Sequence, residues 1–253
     1  MRRIAVSGSA SGIGAAVRRR FGDGGAEVIG VDLDQAEVIG DLSTPDGRAS
    51  AVSEVLERSG GSLDAVVACA GIGPHTPEVP RIAAVNYFGA LGFLDGLLPA
   101  LQDGEDPVAV AIVSNSLGII PRDDALVAAL LEGDEQAASA AAASVDGVTA
   151  YGNSKYALAV AVRRRAAVWG EAGVRLNGVA PGPVDTPLLQ ATIDDPVLGP
   201  HVDDLPMPLG RRGAPEEIAG IVAFLLSDAA ALVHGSIVFA DGGTDAVLRP
   251  DAV

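Results

Sequence analysis

Lysine is almost missing from this chain: of 17 basic residues, 16 are arginine and Lys155 stands alone. Against 33 acidic residues, the formal net charge is −16. Binding to a phosphate backbone or an anionic membrane surface needs a basic footprint, so both classes of partner are excluded. The runs Arg18 to Arg20 and Arg163 to Arg165 sit in segments of helical pattern and read as solvated faces. One cysteine, Cys69, rules out an internal disulfide, and His75, His201 and His234 are too scattered for metal-ligand spacing. No stretch of about 18 uninterrupted apolar residues occurs. The opening MRRIAVSGSASGIG meets serine and glycine before a signal-peptide core forms. A cytoplasmic protein acting on a small molecule without a metal is expected.

With 253 residues, 49% of them hydrophobic, the chain is expected to form one α/β domain over residues 1–253. Short apolar runs read as strands: RIAV, EVIGVD, LDAVVACAG, VAVAIVS, VRLNGVAPG and SIVFADGG. Longer amphipathic runs alternate with them, the pattern of a parallel sheet covered by helices on both faces. The last helical run, APEEIAGIVAFLLSDAA, begins with a proline and two acids, a favourable start.

The glycine turn around Gly8, Ser11, Gly12, Ile13 and Gly14 follows the first strand and opens the first helix. Glycine lets backbone approach a pyrophosphate, whose charge is met by N–H groups at the helix start. Such a cluster alone is also an ordinary tight turn; a partner strengthens it. Asp32 ends the second strand, where an acid accepts hydrogen bonds from ribose hydroxyls and repels a 2′-phosphate, favouring NAD over NADP. No basic residue lies beside it in sequence, and helical direction carries Arg18 to Arg20 away. Asp41 and Leu42 are candidates for the adenine, and Ala70 and Gly71 for the same edge of the sheet; a capped strand end is the competing reading.

Tyr151 and Lys155 lie four apart, on one face of a helix, while Tyr156 points about a third of a turn away. A phenol is a poor base at neutral pH unless a nearby ammonium favours its ionised form. Lysine is a compact charge with three donors, able to serve a phenol and ribose hydroxyls together, whereas arginine is a wide planar fork.

GSASGIG, Asp32, CAG, Asn86, Ser114, YGNSK, PGPVDTP and a closing DGG, in that order, resemble the short-chain dehydrogenase/reductase family across nearly the whole chain. The resemblance implies a Rossmann-type, doubly wound fold with a seven-stranded parallel sheet, an NAD cofactor, and a catalytic set of Asn86, Ser114, Tyr151 and Lys155. It implies Tyr151 as acid/base, Lys155 as the group that lowers its pKa and holds the nicotinamide ribose, and Ser114 on the substrate oxygen. Asn86 would hold a water behind Lys155, though a helix polar group or cap is its other reading. Pro181, Gly182 and Thr186 would meet the nicotinamide. Ser116 competes with Ser114, because the chain reads VSNSLG where the family commonly has paired serines. VNYFGA, RRRAAVWGEAGVRLN and GGTDAVLRP are further similar to the bacterial 3α-hydroxysteroid dehydrogenase/carbonyl reductase branch. A hydrophobic alcohol or ketone, including steroids, is therefore the expected substrate. A reductase of carrier-bound 3-oxoacyl thioesters and a nucleotide-binding regulator without turnover are the alternatives.

From Ser114 to Tyr151 the chain is far longer than a plain connection requires. An insertion over about 119–149, with one or two short helices and an apolar side at Leu126, Ala129, Leu130 and Leu131, is expected as a substrate lid, a subunit contact or a surface elaboration. The resemblance favours a contact and a homodimer.

Overall fold

The computed structural model describes residues 1–251. Its seven strands are β1 (Arg3–Ser7), β2 (Glu27–Asp32), β3 (Val38–Ile39), β4 (Ala65–Ala68), β5 (Val108–Ile112), β6 (Arg175–Pro181) and β7 (Ile237–Ala240). All pair in parallel in the order β3-β2-β1-β4-β5-β6-β7. This is the doubly wound Rossmann-type sheet that the resemblance implies. Six of the strands coincide with apolar runs readable in the sequence. The seventh, β3, has two residues and no period to read.

Alternation along the strands divides the interior between two faces. In β5, Val108, Val110 and Ile112 join one core with α1 (Gly12–Asp23) and, late in the chain, α11 (Pro215–Leu225). Ala109 and Ala111 face the other core. That second core takes in α2 (Pro45–Ser59) and a continuous helical run, Val79–Gln102. The run is made of α3 (Val79–Ala83), a π-helical turn at Ala84–Gly89, and α4 (Ala90–Gln102). By length and composition it is apolar enough to cross a membrane, but Phe93, Leu94, Leu97 and Leu101 are fully buried against the sheet.

Between β5 and the long helix α8 (Gly147–Glu171) lie α5 (Ser116–Ile119), α6 (Asp124–Glu132) and α7 (Glu135–Ala142). The insertion is thus helical, with α6 and α7 covering its expected two helices. Asp123, Asp134 and Asp146 cap α6, α7 and α8 in succession, each carboxylate accepting a backbone N–H, from Leu126, Ala137 and Thr149. Such caps are worth about 1 kcal/mol each. Leu126, Leu130, Ala138 and Ala142 have no exposed surface, and α6 packs on α8 while α7 packs on α3. The insertion is therefore part of the principal core. After β6 come α9 (Pro187–Ile193) and α10 (Gly199–Asp203), and α12 (Thr244–Leu248) follows β7.

Candidate active site

Parallel strands end on one side of the sheet, and a crevice opens there at β1 and β4, where the strand order reverses. A cleft of about 900 Å³ runs along these ends. Apart from Asn86, every residue singled out in the sequence for catalysis or cofactor binding lines it: Gly8, Ser11, Gly12, Ile13, Gly14, Asp32, Asp41, Leu42, Ala70, Gly71, Ser114, Tyr151, Lys155, Pro181, Gly182 and Thr186.

At one end the glycine turn needs its glycines. Gly8 has φ +68°, and a Cβ on Gly14 would stand 2.0 Å from the Gly8 carbonyl oxygen. Ser11 heads α1 without a side-chain cap, and no acid occupies the first turn, so the N–H groups there keep their positive potential. Ser7 joins the turn to β4, its Oγ accepting from the N–H groups of Cys69 and Ala70. Asp32 accepts from Ala10 N at 2.9 Å and Leu33 N at 2.7 Å, which fixes the carboxylate while leaving it lone pairs for a ligand. At Asp41, burial opposes ionisation, but hydrogen bonds from Ser43 and the charge of Arg81 outweigh it and hold the carboxyl below its usual range. An uncapped helix start beside a close-packed glycine cradle, with a fixed carboxylate at the next strand end, fits a dinucleotide.

The arginine runs are only partly solvated faces. Arg18 reaches back to the loop after Asp32, pairing with Glu37 and donating to the Gln35 carbonyl, rather than pointing away. Arg165 forks onto Asp95.

At the other end, β5 delivers Ser114 and α8 delivers Tyr151 and Lys155. Ser114 and Tyr151 both line the cleft, and the Ser114 side chain favours the ionised form of the Tyr151 phenol. Ser114 Oγ accepts from Ser116 N at 3.2 Å, while Ser116 Oγ is buried with no hydrogen-bond partner among the described residues. Of the two serines, Ser114 is the one whose side chain acts on the Tyr151 phenol. One turn along, Lys155 is 4% exposed and its Nζ donates to the Ile112 carbonyl at 3.0 Å. Burial pulls its pKa down to about 8, opposed by the Cys69 thiol. Desolvation likewise raises Tyr151 above the ordinary phenol value, with the Ser114 side chain opposing. Burial is the largest cause of the Tyr151 shift, and Lys155 is not among its causes.

Asn86 sits in the π-helical turn behind the cleft. Its Oδ1 accepts from Ile72 N at 2.9 Å and its Nδ2 donates to Ile72 O at 3.0 Å, so its amide fixes the loop after β4. Tyr156, one residue beyond Lys155, lies under the guanidinium of Arg122, 3.5 Å from the ring centre. Sequence reasoning missed Asn115 and Asp241. Asn115 is buried and its Nδ2 lies 3.4 Å from Asp241 Oδ2, tying the Ser114 loop to the DGG turn after β7. The DGG motif marked the place but not its partner.

Residues 136–245 match the family model described as enoyl-(acyl carrier protein) reductase. The 3-alpha-hydroxysteroid dehydrogenase/carbonyl reductase of Comamonas testosteroni is 47% identical over 251 residues, covering 98% of each chain. The chain belongs to the short-chain dehydrogenase/reductase family. Among other members, the D-threitol dehydrogenase of Mycolicibacterium smegmatis is 32% identical, covering 94% of this chain and 90% of its own. The crystal structure of the 3-alpha-hydroxysteroid dehydrogenase from Pseudomonas sp. B-0831, complexed with NADH, matches with a TM-score of 0.95 and 45% identity over 99% of this chain and 100% of that one. A short-chain dehydrogenase/reductase of this shape is an oxidoreductase that uses NAD(H), and open α/β sheets bind their ligands in the crevice at the strand ends.

Proposed function

We propose that the protein is an NAD-dependent oxidoreductase interconverting a 3α-hydroxysteroid, or a similarly bulky hydrophobic secondary alcohol, with its ketone, in one domain spanning 1–253. The observation that carries this reading is the gathering of Tyr151, Ser114 and, one turn from the tyrosine, Lys155 in the same cleft as Asp32 and the glycine turn. Gly8, Ser11, Gly12, Ile13 and Gly14 hold the diphosphate and Asp32 the adenosine ribose. Asp41, Leu42, Ala70 and Gly71 lie along the adenine half; Lys155, Pro181, Gly182 and Thr186 hold the nicotinamide half. Hydride transfer is the chemistry NAD supplies when bound. Tyr151 moves the proton: it takes the alcohol proton in oxidation and gives it back to the ketone oxygen in reduction. Ser114 orients that oxygen and stabilises its developing charge. The steroid reading rests on the relatives at 45–47% identity and on an apolar flank of the cleft that includes Ile119, Val148, Leu188, Val202 and Leu205. Burying a flat apolar ligand there gains about 25 cal/mol per Å², which favours large substrates.

We further infer a homodimer joined along β7. That edge strand keeps all four residues partly exposed, and Leu232 (99% exposed) and Phe224 (47%) lie on the segments leading into it. The insertion meanwhile packs against α3 and α8 of its own chain.

The test is turnover of 3α-hydroxysteroids, short secondary alcohols and 3-hydroxyacyl thioesters with NAD and NADP, read by absorbance of the reduced cofactor. The steroid with NAD is expected to have the highest kcat/KM; equal efficiency on a short alcohol overturns the substrate assignment. Tyr151→Phe is expected to cut turnover at least about 100-fold with NADH binding retained, because only the proton-transfer group is lost. Oxidation is expected to climb with pH into the alkaline range, since burial holds the phenol protonated, whereas reduction, which needs that proton, proceeds at neutral pH.

A further inference from the structure

The loop after β4 and helix α9 both line the cleft, and a hydrogen bond joins them. His75 Nδ1 lies 3.1 Å from Thr192 Oγ1. The Thr192 hydroxyl donates its single proton to the Leu188 carbonyl at 3.0 Å, so toward His75 it can only accept. The proton between them therefore belongs to His75 Nδ1. Thr192 is 6% exposed and lines the cleft.

The two sides of this bond are held by different contacts. On the β4 side, Ile72 is pinned by both amide atoms of Asn86, and Thr76 Oγ1 donates to the Gly73 carbonyl at 2.8 Å. Helix α8 begins directly against Pro74, where a Cβ on Gly147 would stand 2.0 Å from the Pro74 oxygen. The side of α9 is a short helix on a connection between β6 and α11, capped at its start by Thr186. Its second seat on the loop after β4 is Leu188 against Gly73, where a Cβ would meet both His75 Cε1 at 2.6 Å and Leu188 Cδ2 at 3.2 Å. Gly73 thus makes room for the ring and the leucine together.

We propose that His75 and Thr192 are a latch that holds α9 down over the reacting end of the cleft, and that this latch sets substrate KM and the rate at which reduced cofactor leaves. Neither residue touches the reacting atoms; both are positioning residues, acting through the placement of α9. The kinetic half of this proposal rests on the dehydrogenase reading, whereas the structural half does not.

The experiment therefore has two arms, each on wild type, His75→Ala, His75→Asn and Thr192→Val. In the first, amide hydrogen exchange over 187–193 is followed in the protein without substrate. His75→Ala and Thr192→Val are expected to exchange about fivefold faster there, a loss comparable to one hydrogen bond. His75→Asn, which keeps a donor near the Nδ1 position, is expected to stay close to wild type. In the second, stopped-flow dissociation of NADH and steady-state KM are measured. His75→Ala is expected to raise both about three- to tenfold, with His75→Asn restoring them. Exchange over 187–193 unchanged by His75→Ala overturns the latch, as does equal damage from His75→Ala and His75→Asn. Faster exchange with no NADH binding in any form, wild type included, keeps the latch and overturns the dehydrogenase reading instead.

Discussion

Burying the one lysine holds its ammonium near 8, well below the ordinary value for a lysine, so the folded state is penalised for charging it. The penalty is fully present below about pH 8. It is relieved between there and the unfolded-state value near 10.4, as the unfolded chain comes to bind more protons than the folded one. Lys155→Met, which removes the charge and keeps the chain length, is expected to be more stable than wild type at pH 7 by roughly 3 kcal/mol and no more stable near pH 11. Denaturant melts at the two pH values check this; a variant less stable at pH 7 would show that the Ile112 carbonyl bond outweighs desolvation. Asp32 makes a second residue-scale case. Its carboxylate is oriented by Ala10 and Leu33, and Arg18 nearby is already neutralised by Glu37. Asp32→Ala is therefore expected to lose NAD preference by about tenfold or more while gaining only modest NADP use, measured as the ratio of kcat/KM for the two cofactors. Tyr151, Lys155 and Asp32 were legible as candidates because the chemistry proposed for them depends on residue type and short spacing, and the fold gathers them in one cleft. Asn115 and Asp241 were not, because their contact joins positions 126 residues apart.

At the scale of elements, strands of four or more residues and long amphipathic helices were readable from period alone. β3 has two residues, and the π-helical turn at Ala84–Gly89 has no sequence period of its own, so neither could be read. The insertion shows what pattern leaves open. Leu126, Ala129 and Leu130 announced an apolar face but not its partner, and the structure gives the partner as α8. Leu130→Ala should therefore cost about 2–5 kcal/mol of stability, the range for truncating a filled core position. A loss under about 1 kcal/mol in chemical denaturation would mean that α6 is a detachable cover instead.

For the whole molecule, the sheet has one edge formed by the two-residue strand β3 and another by the longer β7, whose residues stay partly exposed. If copies meet there, Leu232→Glu places a charge in the contact. It is expected to shift sedimentation from dimer to monomer without disturbing the cleft on the strand-end side. A wild-type protein that sediments as a monomer at micromolar concentration defeats the inference.

The order of the strands also sets a timetable. From β4 onward each new strand joins at the growing edge, β5 beside β4, β6 beside β5 and β7 beside β6. A chain leaving the ribosome can lay down its sheet in the order of synthesis. Yet the loop carrying Ser114 waits for Asp241, which emerges 126 residues after Asn115. At translation speeds of about 5–20 residues per second, that is a gap of roughly 6 to 25 seconds during which the nascent protein has its nucleotide half and an unfinished catalytic half. Ribosome-bound chains arrested before Asp241 would then bind nucleotide before they can turn over an alcohol.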